Sequence, residues 1–105
     1  MMRTILALVL MITGAGPTSA QTDWQEQKCA LYEAAWARAL ENFGDDDMNY
    51  NFIATNENFI ASGCTDTVRA CPRSLQELEI ANMLSIVMMN EGAASTFLPF
   101  GCTVD

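Results

Sequence analysis

Four cysteines, Cys29, Cys64, Cys71 and Cys102, are the residues of this chain best suited to chemistry, and that chemistry is oxidative cross-linking. Their number is even, and none falls in the apolar segment at the N-terminus. No two form a C-x-x-C pair and the chain contains no His, so a zinc site would need an all-Cys set at unusual spacings. Two disulfides and no metal are expected.

The absence of His also removes the usual general base and the usual partner of a Ser or Cys nucleophile. Carboxylates remain. Glu77 and Glu79 are two residues apart and point to different faces of a helix, while Asp45-Asp46-Asp47 reads as a turn and cap. A glycosidase-like pair would have to be drawn from distant segments, and no spacing selects one. Asp45, Asp47 and Asn49 match the start of a calcium loop, but Tyr50 stands where the loop needs Gly and Asn56 where it needs a bidentate Glu. Met83, Met88 and Met89 offer soft thioethers of the kind that hold copper, yet steps of five and one spread them round a helix, which suits core filling. Binding without a cofactor is expected, and no enzymatic activity.

Two sets of residues could do that binding. Asn49, Tyr50, Asn51, Asn56 and Asn58 give the second predicted helix an amide-rich outer surface with little charge, suited to hydrogen bonding with a protein or glycan. Trp24, Tyr32, Trp36, Phe43, Phe52 and Phe59 could instead line an apolar ligand pocket, although few other large residues are available to fill the space between the first two helices.

The elements that must position these residues begin with a leader. Met1, Met2 and Arg3 precede an apolar run over residues 5–12 that is too short to cross a bilayer. Gly14, Gly16 and Pro17 break it, and Thr18-Ser19-Ala20 supplies the small residues a signal peptidase reads, so residues 1–20 are expected to be removed before Gln21. Residues 21–105 then form a single helical domain of the periplasm or the exterior, with no membrane attachment once the leader is gone. Loss of Arg3 takes the formal charge from -8 to -9, since all thirteen acids lie beyond the leader. Lys28, Arg38, Arg69 and Arg73 form no basic run, which disfavours nucleic acid and anionic lipid as partners.

Asp23-Trp24-Gln25-Glu26 has the form of a capping box and predicts a helix over residues 24–43, with Cys29, Tyr32, Trp36, Leu40 and Phe43 at three- and four-residue steps and Gly44 as its stop. A second helix is predicted over residues 48–62, capped by Asp46 or Asp47, with Gly63 ending it. Residues 64–73 read as a connection. Ser74-Leu75-Gln76-Glu77 is a second capping box and opens a third helix over residues 75–91, so apolar around its circumference that other segments should enclose it. Residues 93–105 form an apolar tail containing Phe97-Leu98-Pro99-Phe100. The fold class is all-α: a small three-helix bundle with an apolar C-terminal tail, stabilised by two disulfides.

If the first two helices are antiparallel about the 44–47 turn, Cys29 and Cys64 meet at one end. Cys71 falls at that same end, and the tail must return Cys102 to it. This favours Cys29–Cys64 with Cys71–Cys102 and would lay Phe97, Leu98 and Phe100 along the third helix. Cys64–Cys71 with Cys29–Cys102 stays open.

Cys71-Pro72, the amphipathic helix that follows and the Phe-containing segment before Cys102 faintly resemble the small periplasmic immunity proteins that neutralise secreted cell-wall amidases. The resemblance covers about a third of the chain, and the helix length and the stretch from Thr96 to Cys102 depart from the family's pattern. It implies a helical, disulfide-bonded inhibitor of an exported toxin as one alternative. The expectation overall is a macromolecular interaction module with a protein partner; a small apolar-ligand carrier is the other alternative.

Overall fold

In the computed structural model the first helix is described from Pro17 onward. The structure describes the backbone of residues 17–103 and the side chains of residues 22–103. Most of the expected leader, residues 1–16 with its apolar run, lies outside the described residues.

Three α-helices follow in order: α1 Pro17–Phe43, α2 Tyr50–Ala61 and α3 Leu75–Asn90, with a short 3-10 turn at Ser95–Phe97. Helix is already present from residue 17, ahead of the capping box at Asp23, so Asp23 and Glu26 sit within α1 and not at its start. Gly44 ends it in left-handed backbone, φ +77°, its N–H donating to the Leu40 carbonyl at 2.9 Å. α2 is shorter at both ends than predicted, and its cap is Asn49, not Asp46 or Asp47: the Asn49 side chain accepts the Phe52 N–H at 3.0 Å. The box at Ser74 forms as its residue types require. Ser74 Oγ accepts the Glu77 N–H at 3.0 Å, and the Glu77 carboxylate accepts the Ser74 N–H at 3.1 Å.

α1 lies between the other two helices in contact terms, packing chiefly on α3 and more lightly on α2. Ala35 and Ala39, both fully buried, allow the close approach, and Tyr32 and Trp36 fill the space around them. α2 contributes Phe52 and Phe59; α3 contributes Ile80, Leu84 and Met88. Burying each large aliphatic of this set favours folding by about 1.5–3 kcal/mol relative to exposure. The outer face of α3 is a departure from expectation. Leu75, Leu78, Ile86 and Met89 stay exposed, because nothing in the described chain lies over them.

The tail goes elsewhere. Phe97 sits edge-on to Tyr32 and Phe59, with ring centres 6.1 and 5.5 Å apart, and Phe100 stacks on Phe52 at 6.1 Å. It therefore closes the junction of α1 and α2. Beside it runs the 64–73 connection, joined at a single parallel bridge: Ala70 N–H donates to Pro99 O at 2.7 Å and Gly101 N–H to Ala70 O at 3.1 Å.

Two disulfides, Cys29–Cys64 and Cys71–Cys102, tie the elements together and suit an oxidising compartment. Cys71 is not at the Cys64 end. Gln25 at that end bonds to the Gly63 carbonyl, whereas the start of α3 bonds to the 43–49 turn, so the connection crosses the length of the molecule. No described helix is long and apolar enough to span a membrane.

Candidate functional site

The asparagine surface predicted on α2 divides three ways. Asn56 is the correction: it is wholly buried, accepting the Tyr32 hydroxyl proton at 2.5 Å through Oδ1 and donating through Nδ2 to the Phe52 carbonyl at 2.8 Å. Its neighbours four before and three after are Phe52 and Phe59, both core residues, and this spacing places it on the inner line of the helix. Burial of the Tyr32 hydroxyl pushes its ionisation well above the ordinary tyrosine range, so it serves here as a neutral donor. Asn58 is exposed on the outer side. Asn49, Tyr50 and Asn51 remain together at the start of α2.

There they form one wall of an open groove of ≈ 630 Å³; the other wall is the 64–73 connection, which brings in Arg69 and Arg73. Tyr50 is 80 % exposed and leaves most of its ring to solvent. The Arg69 guanidinium is anchored, donating to the Leu98 carbonyl of the tail. Arg73 stands on the last residues before α3, where its own N–H donates to Glu77 Oε1 at 2.8 Å. Two of the chain's five cations thus line one groove, in a chain whose formal charge is -8. Arg69 and Arg73 are also the only cations after Arg38 and flank Cys71 closely. That clustering was available to sequence reasoning as a signal.

Behind this groove a polar clamp fixes the elements that form it. Glu77 is buried, and its two oxygens accept three backbone N–H groups, those of Asn49 at 2.7 Å, Arg73 at 2.8 Å and Ser74 at 3.1 Å. Burial alone would raise its ionisation. The N–H donors and the nearby Arg73 charge outweigh that and hold the carboxyl below its ordinary value. Gln76 completes the clamp by donating to Phe43 O at 2.6 Å and accepting the Asp47 N–H at 2.7 Å. Glu77 and the backbone of the 45–47 turn therefore belong to structure. Glu79 is exposed on the outer side of α3, and no three metal-ligating side chains gather among the described residues.

The aromatic set is likewise dispersed. Tyr32, Trp36, Phe52 and Phe59 pack on one another in the core, Tyr32 and Phe59 at 5.2 Å and Trp36 and Phe52 at 6.3 Å. Trp24 lies at the surface under the Lys28 ammonium, 5.7 Å from the ring centre. A shallow, mostly apolar depression of ≈ 440 Å³ lies between α1 and α2, lined by Trp36, Leu40 and Ile60 among others. The Trp36 indole N–H is buried without an acceptor. No family model, curated protein or solved structure matches this chain.

Proposed function

We propose that this chain is an exported, disulfide-bonded three-helix bundle, periplasmic or secreted after removal of its leader, that acts by binding another protein and not by catalysis. The observation that carries this reading is the groove at the start of α2, where a solvent-exposed tyrosine stands opposite two arginines on a frame held by hydrogen bonds. Tyrosine and arginine contribute disproportionately to binding energy in protein interfaces, the one through rigid amphipathic area and the other through directed charge-assisted hydrogen bonds. Asn49 and Asn51 add neutral polar edges to the same surface. The partner segment that fits it carries carboxylate or other acceptor groups, and its contact is local, because the surrounding acidity repels an extended anion.

Affinity capture from the exporting cell under non-reducing conditions tests the reading. The oxidised protein should retain a partner that the Tyr50→Ala, Arg73→Glu double variant loses. Retention by the variant would place the partner elsewhere on the surface.

A second reading has one observation in its favour. Trp36, whose buried indole N–H has no partner, lines the depression between α1 and α2, where a small apolar ligand would rest against its ring. Native mass spectrometry of the purified protein separates the two readings by the presence of a retained small molecule.

A further inference from the structure

The face of α3 turned away from the core carries an apolar stripe with a particular symmetry. Leu75, Leu78, Ile86 and Met89 are 72, 47, 61 and 51 % exposed. At about 100° per residue they fall within an arc of roughly 80°, together with the exposed Asn82 at its centre. Asn82 is equidistant in sequence from Leu78 and Ile86, and again from Leu75 and Met89. The pattern therefore reads the same in both directions along the helix.

We infer that this face pairs with itself: α3 of a second copy packs antiparallel across a twofold axis at Asn82. Leu75 then meets Met89 of the second copy, Leu78 meets Ile86, and the two Asn82 amides meet on the axis. Each contact occurs twice, as an isologous interface requires. An amide satisfies itself in that position, since each Asn82 offers both a donor and an acceptor to its counterpart. Nothing else on the described surface presents an apolar stripe that is its own complement.

Charge agrees with this occupant. Glu79 is the only ionisable residue within or beside the stripe, and the twofold sets it opposite Ser85 of the second copy, with the two Glu79 positions six residues, about 9 Å, apart along the axis. Across that distance in water, salt screens most of their repulsion. The area sets the strength. A helix contact from Leu75 to Met89, 14 steps along the helix, spans about 21 Å and covers on the order of 500 Å² per copy, below the 800 Å² or so per partner of a standard stable interface. The dimer is accordingly reversible and depends on concentration. The depression beside the stripe, lined by Phe43, Met83 and Val87, extends the apolar surface toward α1 and receives the flank of the second copy.

Sedimentation velocity of the exported protein, purified without reductant, tests this between about 10 µM and about 1 mM. The mass should rise from one copy to two. Leu78→Glu with Ile86→Glu should keep it monomeric throughout, and Asn82→Asp, which sets two carboxylates face to face, should weaken association at least tenfold. All three positions are exposed, so circular dichroism should stay unchanged and exclude misfolding. Asn82→Cys should form a disulfide between copies across the axis under mild oxidation, whereas Leu75→Cys, about 21 Å from its counterpart, should not. A protein that stays monomeric at every concentration, or a dimer indifferent to the glutamate variants, overturns the inference. Self-cross-linking at Leu75→Cys in place of Asn82→Cys overturns the antiparallel register, and a stripe covered only by vesicles or by a foreign protein overturns the choice of occupant.

Discussion

The two ends of the molecule are closed by different chemistry. At one end the α1–α2 turn is gripped by the first turn of α3, through Gln76 and Glu77 and the N–H groups of Asp47, Asn49, Arg73 and Ser74, with no covalent link among them. At the other, Cys29–Cys64 joins α1 to α2 directly, Gln25 reaches the Gly63 and Cys64 carbonyls, Trp24 rests against Gly92, and Lys28 lies 4.9 Å from the centre of the Phe97 ring. The clamp end is thus sensitive to protons and has Cys71–Cys102 beside it, whereas the other end responds to reductant through Cys29–Cys64. A small domain that cannot rely on core volume alone uses both kinds of closure, and each fails under its own condition.

Breaking the covalent end should have the largest effect. Cys29→Ser with Cys64→Ser opens a loop of 35 residues, and the chain-entropy model assigns about 4 kcal/mol to it, a large part of the stability of a domain this size. Thermal melts should show the oxidised variant melting far below the oxidised parent, and reduction, which also opens Cys71–Cys102, taking the parent below the oxidised variant. At the polar end, Glu77→Ala leaves three backbone N–H groups without their acceptor and should cost about 2–3 kcal/mol by denaturant titration.

The same carboxylate sharpens the contrast through pH. Unfolded, Glu77 takes up its proton near 4.5; folded, it does so at a lower pH. Between those values the unfolded state binds more protons, so the stabilisation is complete above pH 4.5 and is lost as pH falls through the folded value. Melting temperature should fall in that window for the parent and less steeply for Glu77→Gln, while Cys29→Ser with Cys64→Ser keeps the parent's slope. Gln76→Ala should follow with about 1–2 kcal/mol, since it removes the bonds to Phe43 and Asp47. The smallest effect belongs to Lys28→Met, about 0.5 kcal/mol or less, because a half-buried cation beside rings contributes little beyond the packing of its stem, which Met keeps.

Local signals in the sequence translated well where the structure answers locally. Ser74 and Glu77 form the capping box that their spacing dictates, Gly44 stops α1, and the even cysteine count becomes two disulfides. Failures came where a residue had a distant partner or alternative neighbours. The Asp23 box does not open a helix, because residues 17–22 ahead of it are already helical. Asn56 reads as surface by residue type, yet the 52–56–59 spacing places it in line with two core phenylalanines, so period was the better guide than polarity. Glu77 looks like a cap and is one, but its bond to Asn49 spans 28 residues, beyond any local pattern. Of the candidate site, Tyr50 and its asparagine neighbours were visible in the sequence. Their juxtaposition with Arg69 and Arg73 was not, because it depends on a connection that crosses the whole molecule.

The placement of the tail also sets an order of events. Phe97 and Phe100 cover Tyr32, Phe52 and Phe59, and they are synthesised after every ring that they cover. Cys29 and Cys64 can find each other before then, but the rings between α1 and α2 stay uncapped and Cys71 stays without its mate until residue 102 has arrived. Closure of the core is thereby deferred until the segment that follows α3 has been made.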